Sequence, residues 1–121
     1  MGEAWIVFRV NRRPFRIEDG LYDSYILMDV GSTYIFGQVF VPEGGRPVGT
    51  DVEELLQDAR RQQIRWARRL IVTKEGPTES VFIEKAKDHG LRVEKFPPNV
   101  FQPIVEEIRE FFQEHMFKKN I

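Results

Sequence analysis

Ser24-Tyr25-Ile26-Leu27-Met28-Asp29-Val30, then Gly31-Ser32-Thr33, then Tyr34-Ile35-Phe36-Gly37-Gln38-Val39-Phe40-Val41 is the stretch that decides the fold. Both long runs are rich in aromatic and β-branched residues, which suit a pleated surface, and the tight turn between them predicts an antiparallel hairpin. The first run is nearly continuous in apolar character, so it should be buried on both faces. Upstream, Trp5-Ile6-Val7-Phe8-Arg9-Val10 is a third run of the same type. The connection from Asn11 to Tyr22 carries Pro14 and the turn sequence Glu18-Asp19-Gly20, and reads as a long loop or an extended hairpin arm.

Downstream the hydrophobic period changes. Pro42 to Gly49 is rich in Gly and Pro and ends the strand. Thr50 or Asp51 should cap the helix that follows. Its first turn holds Asp51, Glu53 and Glu54, and its end holds Arg60, Arg61, Arg65, Arg68 and Arg69, as the helix dipole favours. Val52, Leu55, Leu56, Ala59, Trp66 and Ala67 share one helical face, with Gln63 in the same row, so this helix should cover the sheet. Leu70-Ile71-Val72-Thr73 predicts a short buried strand, and Gly76-Pro77-Thr78-Glu79 opens a helix running to about His89-Gly90, with Val81, Phe82 and Ala86 inward. Leu91 to Phe96 alternates as a strand. After Pro97-Pro98-Asn99 a last helix has Pro103 in its first turn and Ile104, Val105, Ile108, Phe111, Phe112 and Met116 in one stripe. The order β-β-β-α-β-α-β-α predicts an α/β fold: a mixed five-stranded sheet, three meander strands beside two parallel ones, with helices on both faces.

A chain of 121 residues, 41% hydrophobic and 31% charged, fits one domain over residues 1–121. Eighteen Lys and Arg against nineteen Asp and Glu exclude a surface that is cationic throughout, so any binding of nucleic acid needs a local patch. With no cysteine and two separated histidines, thiolate zinc sites and thiol nucleophiles are excluded, leaving oxygen ligands for any metal. Met1 to Trp5 lacks a basic leader, and no apolar stretch reaches membrane-spanning length, so the expectation is a cytoplasmic protein without a membrane partner.

The element order and several local sequences resemble the ribonuclease-H-like superfamily over most of the chain, and within it the catalytic core of retroviral integrases and insertion-element transposases. In that family the first strand begins with Trp shortly before a catalytic Asp, to which Trp5-Ile6-Val7-Phe8 is similar. A second strand ending in Asp turns through Ser into a third containing Gly, as Tyr25 to Asp29 runs through Ser32 to Gly37. The fourth strand and its turn carry a second catalytic Asp before Asn-Gly-Pro, then an aromatic residue and a closing Gly. Here that stretch is Ile71-Val72-Thr73-Lys74-Glu75-Gly76-Pro77, then Phe82, then His89-Gly90-Leu91. The family's third carboxylate, a Glu after Val on the last helix, is similar to Val105-Glu106. The resemblance implies carboxylates that hold two divalent metals, magnesium or manganese, for hydrolysis or strand transfer. Yet Phe8 and Lys74 stand where it places the first two acids. Phenylalanine cannot ligate a cation and an ammonium repels one, so the acidic triad is degenerate and no cofactor is expected.

Three readings of function follow. The leading one is a non-catalytic binding domain with a protein partner or a second copy of itself; Phe111, Phe112 and Phe117 on the last helix read first as core, or, lying on two sides of it, as a homodimer surface. The second is association with nucleic acid through Arg60, Arg61, Arg65, Arg68, Arg69 and Lys74, the densest cationic region, which otherwise reads as a solvated helix end. Arg9, Arg12, Arg13 and Arg16, interleaved with Phe8 and Phe15, form another basic group, suited to stacking bases or to guarding an exposed strand. The third is a magnesium- or manganese-dependent nuclease or strand-transfer enzyme whose site is rebuilt from Asp29, Glu75 and Glu106 by a different strand order. Taken singly, those acids read as a turn residue, a loop acid and a helix first-turn acid. His89 reads as a helix C-terminal residue, and His115 lies near the chain end.

Overall fold

The computed structural model describes residues 2–117. Its strands are β1 (Ala4–Arg9), β2 (Phe15–Ile17), β3 (Gly20–Asp29), β4 (Ile35–Pro42), β5 (Arg69–Val72) and β6 (Arg92–Lys95). The helices are α1 (Gly49–Gln63) between β4 and β5, α2 (Pro77–Asp88) between β5 and β6, and α3 (Gln102–Phe117) at the end. Strands β4, β3, β1, β5 and β6 lie side by side in that order, antiparallel through the meander and parallel from β1 to β6. The expected mixed sheet is there, with one correction: among the described residues it has six strands. The Asn11–Tyr22 connection is a hairpin arm whose β2 pairs with Gly20, Leu21 and Tyr22 of β3, folded over by the Glu18-Asp19 turn.

Strand alternation sorts β1 between two cores. Trp5 and Val7 point to the face covered by α1 and α2, where they meet Leu27, Val39, Leu56, Leu70 and Phe82. Ala4, Ile6 and Phe8 point to the other face, covered by α3 through Val105. Helices on both faces follow. Gly37 faces α1, where a Cβ would meet the tip of the Leu55 side chain at 2.8 Å. Between Leu27 and Met28 the β3–β4 register slips. Phe36 turns onto Trp5 there, with ring centroids 5.3 Å apart.

Two helix boundaries differ from the expectation. Helix α1 is capped by Val48 with no side-chain bond, not by Thr50 or Asp51. It stops at Gln63 because Ile64 takes a left-handed conformation (φ 73°), which leaves Arg65, Trp66, Ala67 and Arg68 in the connection and places Arg69 on β5. Gly90 (φ 81°) ends α2 as glycine does without strain. Among the described residues, no helix is long and apolar enough to cross a membrane.

Candidate functional site

Ile6 lies level with Ile71 on parallel strands, so β1 and β5 finish at the same end of the sheet. Helix α3 crosses that end, its Val105 packed against Ile6, Phe8, Val10 and Ile71. Phe8, Lys74 and Glu106, the residues aligned with the family's carboxylates, therefore belong to one end of the molecule. Phe8 is buried in the apolar core and Lys74 is exposed to solvent. Glu106 is held by cations. Its Oε2 accepts from Arg12, and its Oε1 accepts from Arg109 Nη1 at 3.1 Å and Gln102 Nε2 at 2.7 Å. The Arg12 guanidinium, with Arg109 beside it, keeps the Glu106 carboxyl below the usual glutamate range.

Arg109 also ties α3 to the sheet: its Nε and Nη2 donate to the Arg9 carbonyl at 3.1 and 2.9 Å. Arg12 is aimed by a buried polar knot one residue earlier. Asn11 Nδ2 donates to Asp23 Oδ1 at 2.9 Å and to the Arg13 carbonyl at 2.8 Å, while its Oδ1 accepts from the Ser24 amide at 2.7 Å. The result is a cleft of about 390 Å³ lined by Val10, Asn11, Arg12, Arg13, Pro14, Arg109, Phe112 and Gln113. It is cationic, with Glu106 at its side. Sequence reasoning missed Arg109 and Asn11. Arg109 was within reach, since it stands three residues after Glu106 on one helix, a spacing at which side chains meet.

The three carboxylates of the rearranged metal reading do not come together. Asp29 is level with Trp5, at the start of β1, whereas Glu75 follows the far end of β5. At 3.3 Å per strand residue the two levels differ by on the order of 10 Å or more. Each acid is engaged locally. Asp29 is buried, accepting from Gly2 N at 3.0 Å, Ser32 N at 2.9 Å and Ser32 Oγ at 2.7 Å, and so closes the β3–β4 turn over the first residues. Glu75 is exposed and accepts a long 3.4 Å bond from Lys95. Among the described residues, no three His, Asp or Glu side chains group as metal ligands.

The arginines also divide. Arg60, Arg61, Arg65 and Arg68 are exposed around the end of α1, at the Asp29 end of the sheet, while Lys74 lies at the opposite end of β5. Arg61 pairs with Asp58, and Arg69 Nη1 donates to Glu94 at 2.7 Å. The six cations are thus not one patch. In the other basic group, Arg9 sits half-buried on a central strand, so it guards no edge; Arg12, Arg13 and Arg16 are exposed. His89 caps α2, stacked on Trp66 at 4.1 Å with its Nε2 2.7 Å from Glu53 Oε2. Burial works against the Glu53 charge, but hydrogen bonds from Gln57 and His89 outweigh it and hold that carboxyl low. Phe111 is exposed and Phe112 half-buried; the side chains of Met116 and Phe117 lie outside the described part.

This architecture is the ribonuclease-H-like fold. More narrowly, it is similar to retroviral integrase cores. A simian T-cell lymphotropic virus intasome in complex with PP2A regulatory subunit B56 gamma superposes with a TM-score of 0.64 at 15% identity, over 98% of this chain and 41% of that one. The HTLV-2 integrase catalytic core in complex with magnesium gives 0.58 at 10% identity in its trimeric form, over 98% of this chain and 71% of that one. Its dimeric form gives 0.50 at 9% identity, over 78% and 60%. The chain thus spans under half the length of the first of these. No protein-family model and no curated protein matches it.

Proposed function

We propose that this chain is a non-catalytic binding domain on an integrase-like fold, using no metal cofactor, with a protein as its partner. One observation carries the reading: at the positions aligned with the metal-binding acids stand a core phenylalanine, an exposed lysine and a glutamate already neutralised by Arg12 and Arg109. A divalent ion there would have to displace two guanidiniums and would find one carboxylate. The intasome it resembles was solved in complex with a protein partner.

Manganese titration followed by thermal unfolding tests the reading. No saturable rise in Tm is expected up to millimolar metal. A saturable rise that disappears in Glu106→Gln would overturn it and make nuclease assays the next step.

The cationic cleft favours a second reading, a phosphate-bearing ligand such as nucleic acid, held by Arg12, Arg13 and Arg109. Retardation of a short DNA or RNA duplex, weakening with salt and reduced in Arg13→Ala, would support it. Binding unaffected by Arg13→Ala would place the contact elsewhere.

A further inference from the structure

The two edges of the sheet differ in kind. β6 is four residues long and carries Arg92, Glu94 and Lys95, whereas β4 runs for eight, from Ile35 to Pro42, without one charged side chain. Edge strands are ordinarily kept from pairing by charge, shortness or cover. The pairing pattern shows which groups of β4 are free. Glu43 N donates to Leu21 O, and Val10 N donates to Ser24 O from the opposite side of β3. By antiparallel alternation Val39 and Val41 turn their amides to β3, and Gln38 and Phe40 turn theirs to the open edge.

Among the described residues no hydrogen bond outside the sheet reaches the main chain of Gln38 or Phe40. The open window has two stops. Gln62 Nε2 donates to Phe36 O at 3.1 Å on one side, and on the other Pro42 has no N–H and its carbonyl accepts from Gly45 N at 2.8 Å.

Beside the window α1 presents Asp51, Glu54 and Asp58, which with Phe36 to Phe40 line a groove of about 300 Å³. Asp58 pairs with Arg61; Asp51 and Glu54 have no side-chain partner among the described residues. From Asp51 to Asp58 the helix rises about 11 Å. Side chains at i, i+2 and i+4 of a strand span about 13 Å. The two lengths are comparable.

We infer that the β4 edge is a docking site for an extended segment of a partner protein. It adds as a strand to Gln38 and Phe40, with Lys or Arg at alternate positions over the α1 acids and apolar residues between them on the face of Phe40. Charge selects this occupant over a second copy. Two-fold β4–β4 pairing would bring the acidic stripes of both copies to the same side of the joined sheet, facing each other. The inference is independent of the carboxylate centre and stands whether or not metal binds there.

The test uses fluorescein-labelled Lys-Val-Lys-Val-Lys-Val-Lys and its Glu-Val counterpart, read by polarisation, with hydrogen exchange of the Gln38 and Phe40 amides followed by NMR. The basic peptide should bind saturably and slow exchange at both amides about tenfold or more, while the acidic one should not bind. Asp51→Asn with Glu54→Gln should weaken binding about three- to tenfold, and Gln38→Pro at least as much, since proline removes an outward donor and keeps the main-chain ladder to β3, although the bond from Ser24 Oγ to the Gln38 side chain at 2.7 Å is lost with it. Should Gln38→Pro lose its native near-ultraviolet spectrum, the neutralised helix variant still decides, because its changes are at exposed positions. Equal binding of the acidic peptide, or binding that leaves both amides unprotected, would overturn the proposal. So would a sedimenting dimer with both amides already protected, which would give the edge to a second copy.

Discussion

Each end of the sheet holds a carboxylate, and the two are treated in opposite ways. At the start of β1, Asp29 is withdrawn from water and takes three hydrogen bonds from Gly2 and Ser32. That end is then sealed by Gln63, whose Nε2 donates to Gly2 O at 2.9 Å and whose Oε1 accepts from the buried indole of Trp5 at 2.9 Å. At the finish of β1, Glu106 stays near the surface and is met by the guanidiniums of Arg12 and Arg109. A buried carboxylate met by fixed main-chain donors organises a fold. One met by long, solvated side chains balances charge and adds little to stability. The difference teaches that an acid at a strand end, read alone, says nothing about which of these roles it has.

The largest effect that would break this comparison is expected from Phe8→Asp. Burying an unpaired carboxylate among Ile6, Val10, Ile71 and Val105 should cost about 4 kcal/mol or more and leave no cooperative urea transition, with or without manganese. Recovery of a cooperative transition by manganese would mean that positions 8 and 106 do converge on an ion. Asp29→Ala should lower unfolding free energy by about 2–3 kcal/mol in urea, because the Gly2 and Ser32 donors lose their acceptor. A loss near zero would place Asp29 in the same class as Glu106.

A smaller change, in the other direction, belongs to the Asp29 end. Ile64, left-handed and 84% exposed, is a β-branched residue where glycine fits, so Ile64→Gly should raise stability by about 0.5–1 kcal/mol in the same assay. The smallest effect is at Glu106 and shows in pH dependence. Its carboxyl is depressed in the folded protein, so its contribution is present above the unfolded glutamate value and is lost as pH falls through the folded one. The gap in urea midpoint between the protein and Glu106→Gln should therefore be small at neutral pH and close on acidification below the ordinary glutamate range. A gap that widened toward acid would reverse the sign.

Most of the fold was legible because the hydrophobic period switches cleanly between 2 and 3.6 along the chain. The resemblance, too, led to the right architecture through Trp5, Gly37 and Gly76-Pro77. What stayed hidden has physical reasons. β2 is three residues long, too short for a period, and shows itself only through its pairing with Gly20 to Tyr22. The end of α1 is hidden because helical spacing continues through Trp66 and Ala67, whereas the chain breaks at Ile64, with Gln63 bonded to the Trp5 indole. Phe8 and Lys74 stand out in the sequence only by comparison with the family pattern. The pairing of Arg12 with Glu106 spans 94 residues and depends on strand order, which no local pattern encodes. The same order decides that Asp29 and Glu75 lie apart.

The strand at the centre of the sheet is the first to be made. β1 finds β3 after a short meander, but its other partner, β5, begins only at Arg69, once α1 has been threaded over the sheet. Loop closure of that length is slow relative to hairpin formation. If β4, β3 and β1 pair before β5 arrives, the far side of β1, Ala4 to Ile6, is an unsatisfied edge until then. That exposure ends with the arrival of β5. Variants that delay it, by weakening α1 against β4 at Gly37, should show their damage in refolding yield and aggregation before they show it in the stability of the finished protein.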